Sequence, residues 1–433
     1  FRLANDQTQP QFTHPEELGY TTMEVPNHVE AVMSFDSRGN TRPWYKVLQI
    51  KLTKGNLRQG DTIKICLGDQ RQGSKGIRMQ TFSEKKFEHR ILIDCFSNQN
   101  YQQLPNAQFV EVIPGTPFRW VAVLPTKIHC DEPFRLSVKA EDIWGNPCYS
   151  SGFKLKIKTT LQVSNLPEST HFKQGEQACI IENLKVKSTG DLTAIILDET
   201  GNELAKSNPM KITRGGELKH FWGDLHGQSV ETVGTNTARD YFKFAKDLAF
   251  LDITTHQGND FQITELFWQH LSQLTQEFHQ PDRFIVLPGY EWSGNTGLGG
   301  DRNVFFLNEG YPIRRSSHAL VPDELDEPTD CYDAEILFDT LVKSEDPVLT
   351  YAHVGGRYAN LEAGHDGKIE PSIEIHSAWG TFEWLLHDAF DLGYRMGIVA
   401  NSDDHKGRPG ASYPGASLFG AYGGLTCYLM PEL

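Results

Sequence analysis

The hydrophobic periodicity of this 433-residue chain changes near residue 215, and that change limits its architecture more than any other feature. Up to about residue 213, short runs alternate apolar and polar side chains, as in 44–52, 135–140 and 153–158. A period of two places one face on a core and the other in water, the signature of β-strands. Turn signals separate the runs: Arg38-Gly39-Asn40, Gly145-Asn146-Pro147 and Thr200-Gly201-Asn202. Regular short strands with such turns predict β-sandwiches. A stretch this long suits two of them, divided near Pro114-Gly115-Thr116-Pro117. Beyond 215 the pattern predicts helices at 236–250, 262–278, 333–342 and 382–392. Between them lie extended segments at 284–288, 347–351, 373–375 and 396–400. Strands alternating with helices imply a parallel sheet covered by helices, as a barrel or an open sheet. The expectation is a multidomain β plus α/β protein: a β-sandwich over 1–115, an immunoglobulin-like sandwich over 116–214, and an α/β domain over 215–433.

Composition narrows the function. With 41 Lys+Arg against 56 Asp+Glu the formal charge is −15, which disfavours a nucleic-acid binder needing a basic face. A small anionic substrate stays compatible, because a metal or a few local cations can reverse the field inside a cleft. No run of about 18 apolar residues occurs, so no membrane-spanning helix is expected. The seven cysteines form no CxxC pair and their number is odd, which argues against a zinc ribbon or a disulfide framework. The chain starts at Phe1, so a removed signal peptide stays open. A soluble protein is expected, the cytoplasm slightly preferred, and the oligomeric state is unspecified.

Potential metal ligands collect where the strands of the second half end. The segment 218–223 runs into Asp224, His226 and Gln228. The segment 250–255 ends at His256, 284–290 at Glu291 and 348–352 at His353. Glu374 and His376 sit in the next strand, and Asp403 and His405 come after the last. Functional groups of parallel α/β folds gather at carboxyl strand ends. Residues two apart in an extended chain point the same way. Imidazole with carboxylate suits Zn, Mn or Fe, and several pairs on one rim would hold more than one ion. Only five of the sixteen histidines precede residue 213 (14, 28, 89, 129, 171), scattered. Nothing there reads as catalytic, and support or oligomer contacts are expected of the sandwiches ahead of carbohydrate binding.

These residues resemble the PHP (polymerase and histidinol phosphatase) superfamily, and within it the family called domain of unknown function 3604. The likeness rests on Phe221-Trp222-Gly223-Asp224-Leu225-His226, Leu251-Asp252-Ile253-Thr254-Thr255-His256, Pro288-Gly289-Tyr290-Glu291-Trp292 and Asp301-Arg302-Asn303-Val304. Tyr351-Ala352-His353, Ile373-Glu374-Ile375-His376 and the run Asn401 to Gly410 complete it, in family order over 217–433. The resemblance implies a distorted (β/α)7 barrel with a cluster of usually two or three Zn, Mn or Fe ions, one to three being expected here given the departures below, and, in most characterised relatives, phosphate-ester hydrolysis. By position it implies that His226, Glu291 and Asp403 hold one metal, with Glu291 bridging. His256 and His405 would serve another, and His353 with Glu374 or His376 would complete the cluster. Three positions depart from the pattern: Gln228 and Thr255 stand where relatives carry His and Asp, and Asp301 replaces a frequent His. The family pattern continues well past residue 426, which implies a further C-terminal portion. The segment 134–147 is similar to a strand-and-turn pattern of bacterial immunoglobulin-like modules.

Arg302, Arg357 and Arg408 lie beside these motifs, and a guanidinium fork matches an anion through two hydrogen bonds. Arg302 and Arg408 are the favoured substrate contacts, Arg357 less so. Asn259 and Asp260 are further polar candidates. Gly294 to Gly300 lacks the phosphate-loop ending and reads as a flexible rim loop. Trp379, Phe382 and Trp384 read as core. No serine elbow or paired cysteine points to a covalent nucleophile. The chain is therefore expected to hydrolyse a phosphate ester with metal-activated water, His256 or His405 protonating the leaving oxygen. C–N or carboxylic ester hydrolysis with the same metals, or a degenerate binding module, are the alternatives.

Overall fold

The structure, a computed structural model, describes every residue except 107, 217, 345 and 412–420. Two compact units meet in sequence at Ile113 and Pro114: Phe1–Ile113 and Pro114–Leu433. The segments read from sequence as a second sandwich and an α/β domain thus belong to one unit.

Phe1–Ile113 consists of two-stranded antiparallel ladders and not of two stacked sheets. Thr21–Glu24 pairs with Lys64–Leu67, Glu30–Asp36 with Val47–Lys54, and Glu84–His89 with Gln108–Val112. The reason lies in the strand faces: Glu30–Asp36 alternates exposed and half-buried residues and buries none fully. Little apolar face remains for a second sheet to cover.

From Pro114 to Thr213 the strands do cover each other. One antiparallel sheet has the order Cys179–Leu184, Phe134–Glu141, Arg119–Val123. A second runs Ser169–Phe172, Phe153–Thr159, Ala194–Leu197, Glu203–Lys206. Their inward residues, among them Leu136, Val138, Leu155, Phe172 and Ile196, form one apolar cluster. Each such side chain contributes about 1.5–3 kcal/mol by leaving water.

The remainder is built from strands β1 (Lys219–Asp224), β2 (Ile253–Thr255), β3 (Ile285–Leu287), β4 (Gly289–Ser293), β5 (Asp301–Phe306), β6 (Val348–Ala352), β7 (Ser372–Ser377), β8 (Gly397–Ala400) and β9 (Thr426–Met430). Its helices are α1 (Ala238–Asp247), α2 (Glu265–Phe278), α3 (Ala334–Ser344) and α4 (Glu383–Asp391). Thr237 and Thr264 cap α1 and α2 by accepting the Asp240 and Phe267 amides. Both helices lay Tyr241, Phe242, Ala245, Leu271 and Leu274 into a core with Phe284 and Trp292.

Two sheets result. One has the order β3-β2-β1-β9, parallel except for β9. The other runs β4-β5-β6-β7 with β8 on β7. Its β4-β5-β6 part is antiparallel and its β6-β7-β8 part parallel, and the short strand Gly380–Thr381 adds antiparallel to β7. Parallel bridges at Gly227–Asp404 and Asn259–Glu291 link segments of the two. Seven strand–helix repeats are not what the described residues show: four α-helices are present, and β4 turns directly into β5. That hairpin is the segment 294–300, where the sequence suggests a flexible loop. Gly294, Gly299 and Gly300 are packing requirements there: a Cβ on Gly300, at φ +72°, would lie 2.1 Å from the Tyr358 carbonyl oxygen. No helix among the described residues is long and apolar enough to cross a membrane.

Candidate metal centre

The carboxyl ends of β1, β6 and β8, with side chains inside β4, β5 and β7, bring His226, Glu291, Asp301, His353, Glu374 and Asp403 together. All six are at most 4% exposed. His226 lies at the centre. Its Nδ1 donates to Glu374 (Oε1 3.0 Å, Oε2 3.2 Å). Its Nε2 faces Asp403 Oδ1 at 3.2 Å and Glu291 Oε2 at 3.8 Å. The His353 ring crosses it edge-on at 4.4 Å, with Nε2 3.9 Å from Glu291 Oε1. His226, His353 and Glu374 offer three ligand atoms within 4.8 Å of one another, as do Glu291, Asp301 and His353.

Hydrogen bonding identifies which of these groups are still available. His226 Nε2, both His353 nitrogens and Asp403 Oδ1 are buried with no hydrogen-bond partner. Each such atom costs about 1–3 kcal/mol when left unpaired. Glu374, by contrast, uses its oxygens on His226 and on Asn401 Nδ2 at 2.7 Å. That is the carboxylate–imidazole pairing that orients a metal-binding histidine. Glu291, Asp301, Glu374 and Asp403 thus bring four carboxylates beside two imidazoles, a donor set that fits a divalent cation. Burial pushes the Asp403 carboxyl up to about 7; His226 opposes this, while Glu291 and Glu374 add to it. Burial also raises Glu291, but His226 and His353 hold it down to about 2. Burial lowers His226, yet Asp403 and Glu374 lift it well above its ordinary value.

The structure separates the other sequence candidates. Gln228 is not free to bind a metal: Nε2 donates to Glu291 Oε2 at 3.0 Å and Oε1 accepts from Thr232. It positions Glu291. His256 lies outside the group, edge-on to Tyr241 and Phe267 of the covering helices, with Nε2 2.8 Å from Ser229 Oγ. Burial lowers it to about 3. His376 also lies outside, its nitrogens on Thr381 Oγ1 and the Tyr422 carbonyl. The β7–β8 register shifts between Glu374 and His376, which cancels the period-two convergence expected of that pair. His405 adjoins the group through Asp403, with Nδ1 2.9 Å from the Asp403 carbonyl. Asp224 accepts the amides of Ser402, His226 and Gly410 and so fixes backbone. Asp260 likewise accepts from Ser293 and Ser316.

Two of the three arginines are also spent. Arg302, fully buried, pairs with Glu370 (Nε–Oε1 3.0 Å) and donates to the Gly299, Asn360 and Gly364 carbonyls. It alternates with Asp301 along β5 and so faces the other side. Arg408 donates to Asn146 and Gly145. Arg357 is the one at the site. Its backbone N–H and Nε bind Asp301 at 3.0 and 3.1 Å, and its guanidinium lies over Phe261 at 4.8 Å with the side chain a quarter exposed. Asn303 is, by sequence, no more than a neighbour of Asp301 and Arg302. It stands directly opposite Glu291 in the β4–β5 ladder, buried, with both amide atoms unpartnered. The strand register, not residue type, would have singled it out.

No family model matches the chain. It is 24% identical to an uncharacterised protein of Chlamydia pneumoniae over 76% of its own length and 52% of the relative's. A second uncharacterised protein, from Chlamydia muridarum, is 22% identical over 75% and 52%. The chain thus spans about half the length of these relatives. Among solved structures, a superoxide reductase from Ignicoccus hospitalis aligns with 22% of this chain and 81% of its own at 18% identity and TM-score 0.17. The CARDB domain of a Pyrococcus furiosus protein, in complex with di-metal ions, covers 23% of this chain and all of its own at 14% identity and TM-score 0.17. Scores that low carry no inference about a shared fold or function. By sequence, then, the chain is similar to chlamydial proteins that are themselves uncharacterised.

Proposed function

We propose that the chain is a metal-dependent hydrolase of the PHP type, acting on a phosphate ester, with its catalytic part a distorted α/β barrel. One observation carries this reading: a buried imidazole pair whose free nitrogens face carboxylates at strand ends. His226, Glu291, His353, Asp403 and Asp301 would hold one or two ions of Zn, Mn or Fe. Such an ion supplies a Lewis acid and lowers the pKa of bound water from about 15.7 toward about 7. Glu374 and Gln228 keep His226 and Glu291 in place. Arg357 binds the substrate anion through its outer nitrogens, since Asp301 already holds Nε. His405, tied by Nδ1 to the Asp403 carbonyl, passes a proton from Nε2 to the leaving oxygen. His256 is a poor candidate for that role, because its low pKa leaves it unprotonated at neutral pH.

Protein purified without chelator is expected to carry at least about one equivalent of Zn, Mn or Fe and to lose phosphatase activity on chelation. A panel of phosphate mono- and diesters, run beside amides and lactones, separates the substrate classes. Metal-free protein whose behaviour chelators leave unaltered would sink the reading. Arg357→Ala should raise KM for an anionic substrate by about 10–100-fold, equivalent to about 1.4–2.7 kcal/mol of lost charge-assisted bonding. Metal content should fall less than this, because the Arg357 backbone N–H keeps its bond to Asp301 in the variant. Arg357→Lys should recover only part of the loss, because lysine lacks the fork. Unaltered KM in the alanine variant would remove Arg357 from the site.

A further inference from the structure

The loop that carries Asp403 is fastened to the neighbouring β-sandwich by a buried charge. Asp403 adopts a left-handed backbone, φ +47°, uncommon for a residue other than glycine. Asp404 and Arg408, further along the loop, hold that conformation. Asp404 accepts the Lys406 and Arg408 amides on Oδ2 at 3.0 and 2.5 Å. The Asp404 carbonyl accepts the Gln228 amide at 2.7 Å, and Asp404 N–H reaches the His226 carbonyl at 3.4 Å. Arg408, 1% exposed, then leaves this half of the unit. Its Nη1 donates to Asn146 Oδ1 at 3.0 Å and its Nη2 to the Gly145 carbonyl at 2.8 Å. Both acceptors lie in a tight turn of the sandwich that Asp142 builds. Asp142 takes the Trp144 and Asn146 amides on Oδ1, and Asn146 Nδ2 with the Gly115 amide on Oδ2. Asp142, Asn146 and Arg408 are all at most 4% exposed, so solvent does not screen the link.

We propose that Asn146 is a positioning residue for the metal centre: through Arg408 and Asp404 it sets where Asp403 and His226 point. This gives the sandwich a share in the site and rests on the metal-centre reading above. A guanidinium this buried is tolerated only while its partners remain. Losing Asn146 Oδ1 removes one of the two acceptors that fix the far end, leaving the Gly145 carbonyl, and the loop between Asp404 and Arg408 must adjust. The effect should resemble loss of an outer partner of a metal ligand, which costs about 10–100-fold in affinity.

The test uses the full chain and Co2+ alone as probe, with affinity from chelator competition and the visible spectrum of the bound ion as readouts. Asn146→Ala should bind Co2+ about 10–100-fold more weakly and shift the spectrum. Asn146→Ser carries the same test if the alanine variant does not fold. Thr126→Val is the control. It breaks another sandwich contact, Trp222 Nε1 to Thr126 Oγ1 at 3.0 Å, that does not touch the 401–410 loop, and should leave affinity and spectrum unaltered. Wild-type affinity in both Asn146 variants would overturn the proposal, and so would an equal loss in Thr126→Val. A wild-type chain that binds no Co2+ would instead overturn the metal-centre reading beneath it.

Discussion

Glu291→Gln is expected to produce a folded chain that binds its metal at least about 100-fold more weakly and loses nearly all hydrolytic activity. The magnitude comes from position. Removing an outer partner of a ligand already costs about 10–100-fold, and under the proposed reading Glu291 is itself a ligand. One oxygen faces His226 at 3.8 Å, the other His353 at 3.9 Å. The variant keeps the shape but replaces an oxygen anion with an amide, which binds hard cations weakly and presents N–H where an acceptor is needed. It also sets an amide against Gln228 Nε2, which in the wild type donates to Glu291. Stability should fall modestly, because the variant keeps the volume but removes the charge that His226 and His353 hold ionised. Elemental analysis, a melting curve and turnover on one phosphate ester decide the matter. A variant that retained full metal and turnover would show that the ion, if any, is held elsewhere.

How much of the fold and site is legible in the sequence depends on what local pattern can encode. A period of two ending in polar residues after an apolar run marks β1, β6 and β8, and with them His226, His353 and Asp403. Glu291 and Glu374 lie within β4 and β7 and are found the same way. The same rule misplaces His376, because a register shift in β7 depends on the partner strand β8, and pairing is not written in the segment itself. His256 fails for a related reason: its ring turns toward aromatic residues of α1 and α2 that only the packing of those helices brings near. The arginines show the limit most clearly. All three sit beside motif residues, but whether a guanidinium faces substrate or carbonyls depends on loops far away, Asn360 and Gly364 for Arg302 and Gly145 for Arg408. The seven strand–helix repeats fail where the 294–300 glycines form a hairpin between β4 and β5 in place of a helical crossover.

That difference among the arginines gives the second large effect. Arg302→Ala should destabilise Pro114–Leu433 by about 3–5 kcal/mol, the cost of breaking a buried pair by removing one partner. Glu370, also fully buried, would keep one side-chain partner among the described residues, His365, 2.8 Å from Oε2. Three carbonyls would lose a donor together. The melting temperature of this unit should drop by roughly 4–8 °C. Arg302→Met with Glu370→Gln should recover part of the loss, since the double change leaves no unpaired buried charge. Neither variant should alter KM for the anion or the metal content of the molecules that remain folded. A tenfold rise in KM at wild-type melting temperature would return Arg302 to the role its place in the motif suggests. The contrast with Arg357→Ala is therefore the sharper form of the test: one arginine should cost stability and spare binding, the other the reverse.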